Sequence, residues 1–213
     1  MVRRDAVSHL VAVVVAAVAW PGLLLQYWLI LWSGPLLQVT VRYLSFFTIL
    51  SNLLVALVAT AIATGGNWAP FNRLRTARVR GLAALSITVT WLVYMTVLQG
   101  HWHPRGVHLI ADRTVHYVVP LMYVAWWATL QEHGTLSWGD IGRWLGFPLA
   151  FAVWTLLRGA VVHEYPYPFM DVDRIGYGHV VLNSLAVGVL FVVLGALYVS
   201  LDRVLGRRYA QPT

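Results

Sequence analysis

Six apolar runs, each near the length of a bilayer crossing, leave little of this chain for anything else. They cover about residues 7–32, 43–64, 79–99, 114–130, 141–162 and 178–201, the fourth being the shortest. A helix needs about 20 predominantly apolar residues to cross about 30 Å of hydrocarbon. Only 11% of the residues are charged, against about 25% in a soluble domain, and they gather between the runs. The connections are too short to hold a soluble domain. The expected fold is all-α: one integral membrane domain over residues 1–213, a polytopic bundle of six transmembrane helices.

All 15 basic residues are arginine and cysteine is absent. The missing cysteines exclude a disulfide framework, thiolate metal ligands and a cysteine nucleophile. A net charge of +7 invites a nucleic-acid reading, but the placement of the arginines argues for topology. If the runs alternate across a bilayer, Arg3, Arg4, Arg73, Arg75, Arg78, Arg80, Arg143, Arg203, Arg207 and Arg208 share one side. Arg42, Arg105, Arg113, Arg158 and Arg174 fall on the other, offset by Asp112, Glu164, Asp171 and Asp173. The positive-inside rule then puts both termini in the cytoplasm. The expected partner is membrane lipid, with no nucleic acid. Arg3-Arg4 and the small residues Ala17-Val18-Ala19 have the layout of a signal peptide. The apolar run continues to Trp32, however, so an uncleaved first helix is expected, kinked at Pro21-Gly22.

Polar residues inside such spans are the candidates for chemistry. In Tyr43-Leu-Ser-Phe-Phe-Thr-Ile-Leu-Ser-Asn52, the residues Ser45, Thr48 and Asn52 recur at helical spacing and would share one face. A helix starting at Tyr43 would carry Thr48 about 7–8 Å below the outer boundary. Span three holds Thr88, Thr90, Tyr94 and Thr96, and the hydroxyls of the threonines are expected to bond their own helix carbonyls. The following loop carries His101, His103 and His108. A His-x-His pair with a third histidine suits zinc or copper, but without a carboxylate or scaffold an interfacial segment is the better reading, and no metal or other cofactor is expected. Asp112 precedes His116 by four residues at the outer end of span four. Arg158 ends span five with Glu164, Asp171 or Asp173 as possible partners, and His179 and Asn183 open span six. The loop from Glu164 to Asp171, rich in proline and tyrosine, reads as a stiff cap. Six of the eight histidines map to the outer half, the inner halves look nearly featureless, and a polar pocket open to the outer leaflet follows.

Two of these segments, Tyr43-Leu-Ser-Phe-Phe-Thr48 and Val115-His116-Tyr-Val-Val-Pro120, resemble motifs of the androgen-induced-protein family of multi-span membrane threonine hydrolases, which includes the androgen-dependent TFPI-regulating protein. The resemblance covers most of the six-span length, while its specific part is these two motifs. Tyr165-Pro-Tyr-Pro-Phe-Met-Asp171 and Gly176-Tyr-Gly178 are more similar to a bacterial branch of unknown activity, which implies a bacterial cytoplasmic membrane. The resemblance implies Thr48 as nucleophile and His116 as base in the hydrolysis of fatty acyl esters. Spacing adds Asp112 as a group to orient the imidazole, with Asn52, Asn183 or Arg158 as oxyanion donors. Two other readings stay open. One is a haem-binding electron carrier with His116 and His179 as axial ligands. The other is a non-catalytic lipid-binding or transport protein using the same pocket, although no inverted repeat is visible.

Overall fold

A computed structural model describes residues 2–65, 69–101 and 103–209. The chain is helical, with no strand among the described residues. Helix α1 runs Val2–Ile30, α2 Leu36–Leu44, α3 Phe47–Thr64, α4 Ala69–Leu74 and α5 Ala77–Val93, the last continuing as a π-helical turn over Tyr94–Leu98. Helix α6 (Val107–Arg113) passes through a second π-turn, Thr114–Val118, into α7 (Val119–Leu130). Helices α8 (Trp138–Trp144), α9 (Gly146–Val162) and α10 (Val172–Tyr209) complete the chain.

Among the described residues, five stretches are long and apolar enough to cross a membrane: Asp5–Ser33, Phe47–Thr64, Ala77–Leu98, Trp138–Val162 and Val172–Arg207. The expected fourth span is not among them. Its helix is long enough, from Val107 to Leu130, but the first half carries Asp112, Arg113 and His116. The second span also differs from expectation. The chain turns at Ser45 and Phe46, so α3 starts at Phe47 and not at Tyr43. Ser45 belongs to the end of α2, where its hydroxyl donates to Val41 O and accepts from Trp154 Nε1. It shares no helix with Thr48 and Asn52, and no continuous helical rise separates Tyr43 from Thr48.

Helices α1, α3, α5 and α7 form the centre. Small residues at their contacts, such as Ala12, Ala19, Ala56, Ala59, Ala83 and Ala84, are almost fully buried, and they let the backbones approach closely. Between apolar helices in hydrocarbon such packing, and not exclusion of water, provides the attraction. The threonines of α5 behave as expected: Thr88, Thr90 and Thr96 donate to Ala84 O, Ser86 O and Leu92 O. Helices α9 and α10 lie at the periphery, with Leu157, Leu182, Leu185 and Val189 each more than 60% exposed. An outer surface of this kind suits hydrocarbon.

The start of α1, the α4–α5 region, α8 and the end of α10 meet at one end of the bundle, where Trp126 Nε1 donates to Ser8 Oγ and Trp144 Nε1 to Arg78 O. That end is more structured than its sequence suggests. Buried Asp202 accepts from the backbone N–H of Gly134 and Leu136 and from His133 Nδ1. Asp140, 3% exposed, accepts from Arg78 Nε, Arg143 Nη1 and the N–H of Ser137. The last bond satisfies an N–H left free before α8. Asp140→Ala should therefore cost about 0.5–2 kcal/mol, mostly through the lost cap at the start of α8. Thermal unfolding in detergent checks this, with activity per folded molecule unchanged because the candidate site lies at the opposite end.

Candidate active site

Thr48 is the second residue of α3. In the first turn of a helix the backbone N–H has no intrahelical acceptor, and the dipole favours negative charge. The Thr48 N–H instead reaches the Tyr167 hydroxyl at 3.1 Å. The Thr48 Oγ1 lies 3.3 Å from the same hydroxyl and 3.4 Å from His116 Nε2. The latter is long for a hydrogen bond, and such contacts tighten when substrate closes the site.

His116 sits in the π-turn between α6 and α7. Pro120, four residues on, has no N–H to offer the His116 carbonyl, so the regular ladder cannot continue there. The imidazole is fixed from three sides. Nδ1–H donates to Asp112 Oδ1 and to Asp112 O, both at 3.1 Å. That assigns the proton to Nδ1 and leaves Nε2 with its lone pair toward Thr48. The Tyr94 ring stacks on the imidazole with centroids 3.8 Å apart. The Tyr94 hydroxyl donates to Asp112 Oδ2 at 2.6 Å. Tyr94 opens the other π-turn, so both π-turns carry site residues.

Thr48, His116 and Asp112, named from sequence, thus come together in the order nucleophile, base and orienting carboxylate. Four other candidates have different partners. Both amide hydrogens of Asn52 are engaged, by Thr48 O and Val115 O, so it joins the first turn of α3 to the π-turn of His116 and has no donor left for an oxyanion. Arg158 binds Glu164 through the side chain and through Glu164 O. Asn183 donates to Phe169 O. These two pin the connection between α9 and α10. His179 is exposed, donates to Ile175 O and does not line the space beside Thr48. Among the described residues no three potential metal ligands cluster; Trp102 and the side chain of His101 lie outside them.

Tyr167 is the site residue that the sequence reading passed over. It stands in the connection read as a cap, between Pro166 and Pro168, which stiffen it. Glu164 is also bound by Arg42 at 2.6 Å, adding a tie to α2. Tyr165 packs against Gly159, where an added Cβ would stand 2.0 Å from the ring. Burial pushes the Tyr167 hydroxyl above the ordinary phenol value, so it remains a neutral donor. Because Gly159 allows the close approach, Gly159→Ala must displace Tyr165 and with it the Tyr167 segment. The expected cost is about 1–3 kcal/mol, seen as a lower melting temperature, together with a loss of any activity that depends on Tyr167.

Two cavities flank the cluster. The one touching Thr48 and Tyr167, about 120 Å³, is apolar and lies between α3, α5, α9 and α10. It replaces the polar pocket expected at this position. The polar space lies on the other flank, about 610 Å³ beside Tyr94, Asp112, Arg105 and Arg113. Comparison with known protein families, with curated proteins and with solved structures found no match for the chain.

Proposed function

We propose that this protein is a six-span membrane hydrolase of fatty acyl esters, with both termini in the cytoplasm and the site toward the outer leaflet. The observation that carries the reading is the chain Thr48 Oγ1, His116 Nε2, His116 Nδ1, Asp112 Oδ1, with a buried hydroxyl against the first atom. A threonine hydroxyl is a weak nucleophile and needs an adjacent base oriented by a third group. The ten arginines assigned to the cytoplasm support the orientation. The helix from Val107 to Leu130 serves as the fourth of the six spans because Asp112 and His116 face the bundle interior, where each has partners.

In the reaction Thr48 Oγ1 attacks the ester carbonyl carbon and His116 Nε2 takes its proton. The oxyanion of the tetrahedral intermediate forms beside the Tyr167 hydroxyl and the first turn of α3. Collapse breaks the bond to the alcohol oxygen, which receives the proton from His116, and leaves an acyl ester on Thr48. Water then attacks that ester, giving its proton to His116 and finally returning it to Thr48 as the fatty acid leaves. Asp112 keeps the proton on Nδ1 throughout and stabilises the transient imidazolium, while Tyr94 holds Asp112.

The direct test uses the full chain in detergent with a lipid-like fluorophosphonate and a panel of acyl esters. Labelling of the Thr48 peptide, found by mass spectrometry, and ester turnover are expected. A protein that is folded, unlabelled and inactive on every ester would leave the arrangement a binding site only.

A further inference from the structure

The proton-transfer chain makes no use of the apolar cavity beside Thr48, yet that cavity is built with some regularity. Leu145, the residue just before α9, and Pro148, Leu149 and Ala152 within it line one side, and α10 lines the other with Ser184, Val187, Gly188 and Phe191. Each set follows the i, i+3, i+4, i+7 spacing of one helical face. The two faces therefore oppose each other along the cavity.

The lining is graded from inside to outside. Phe47, Thr48, Phe151, Tyr167 and Phe191 are buried, whereas Leu149 is 61% exposed and Gly188 is partly exposed. The space thus runs from the threonine hydroxyl to the outer surface between α9 and α10, where Val153, Leu185 and Val189 face outward. A Cβ added at Gly188 meets no atom within 4 Å. The glycine is not required by its backbone or by a close neighbour in the protein; what its missing side chain leaves is open width.

We infer that this cavity holds the acyl chain of the ester, admitted sideways from the bilayer between α9 and α10, and that Gly188 sets the width of the opening. The inference rests on the ester-hydrolase reading for its substrate. An apolar cavity of about 150 Å³ accepts a ring of six carbons, so the present one takes a few methylenes next to the carbonyl. The rest of a long chain stays in hydrocarbon. The carbonyl then sits at Thr48 with the alcohol portion on the side of the polar space by Tyr94 and Arg105. Short acyl groups need only the innermost part and do not reach Gly188.

The experiment compares wild type, Gly188→Ala and Gly188→Leu as full chains in detergent, with para-nitrophenyl acetate and para-nitrophenyl palmitate as substrates. Each buried methylene contributes about fourfold in binding. Gly188→Leu is expected to lose about 100-fold or more in kcat/KM on palmitate while acetate changes less than about threefold, with Gly188→Ala between the two. Equal effects on both esters, or none on either, overturn the inference and leave the hydrolase reading standing. Photo-crosslinking with a diazirine-bearing palmitic acid separates the two ideas. Crosslinks to α9 and α10 in wild type that vanish in Gly188→Leu support the acyl cavity even if neither ester is hydrolysed. Crosslinks of equal yield in both proteins overturn it. Should Gly188→Leu fail to fold, Leu149→Trp narrows the opening from the opposite wall and is held to the same outcomes.

Discussion

Thr48→Ala is expected to lower ester turnover by at least about 10⁴-fold and to abolish fluorophosphonate labelling, with the fold intact. No other hydroxyl replaces it. Ser51 is close in sequence, but it donates to Thr48 O and pairs with Thr90 at 2.8 Å, turned into the contact between α3 and α5. The structural cost is small, because the Tyr167 hydroxyl keeps the Thr48 N–H when Oγ1 is removed. About 1 kcal/mol or less is expected in thermal unfolding. Thr48→Ser keeps the nucleophile but frees χ1, which the methyl group restricts, so it should retain measurable turnover and labelling. His116→Ala should match Thr48→Ala, and the double variant should be no worse than either. Residues that transfer one proton between them are not additive. Labelling that survives Thr48→Ala would sink the nucleophile. A double variant that loses the product of the two single effects would show that the two side chains act separately.

The helices and the i, i+4 pair of Asp112 and His116 were legible in the sequence because both depend on local periodicity. The contact between Thr48 and His116 was not, since it joins residues 68 positions apart; only the resemblance pointed to it. Local geometry misled at Ser45, where nothing in Leu44-Ser-Phe46 announces a break, yet the chain turns there and leaves Thr48 in a helix's first turn. That break is what gives Thr48 a backbone N–H with no intrahelical acceptor, turned to Tyr167, and the positive end of the α3 dipole, so the error concerned the most consequential feature of the site. Asn52, Asn183 and Arg158 were picked as donors by residue type. Arg158 binds Glu164, one of the partners its sequence position offered, while the carbonyl acceptors of Asn52 and Asn183 come from the folded chain and carried no sequence signal. The end of the bundle away from the site, which looked nearly featureless, holds His133 in a connection, Asp140 in α8 and Asp202 in α10, brought together across the fold with no periodic signal.

The same reasoning makes Tyr167 the most informative residue after the nucleophile. Tyr167→Phe is expected to lower kcat by about 10²–10³-fold with KM nearly unchanged, the loss typical of one oxyanion donor. The ring would still fill its place against Phe46, Phe151 and Phe169, so packing survives, and the variant isolates the hydroxyl. Removing that hydroxyl also releases the Thr48 N–H, which then points from the first turn of α3 without a partner. It can serve as a substitute donor, and some residual turnover is therefore expected. A role limited to holding the loop predicts something else: Tyr167→Phe would then lower the melting temperature and raise KM, as Gly159→Ala does, while kcat changed little. The raised pKa supplies a further check. A phenol that ionises later in the folded chain than in the unfolded one stabilises the fold below about pH 10, and that stability is lost as pH rises beyond it. Wild type should thus lose stability above that pH by more than Tyr167→Phe does, with turnover and unfolding measured on the same preparations.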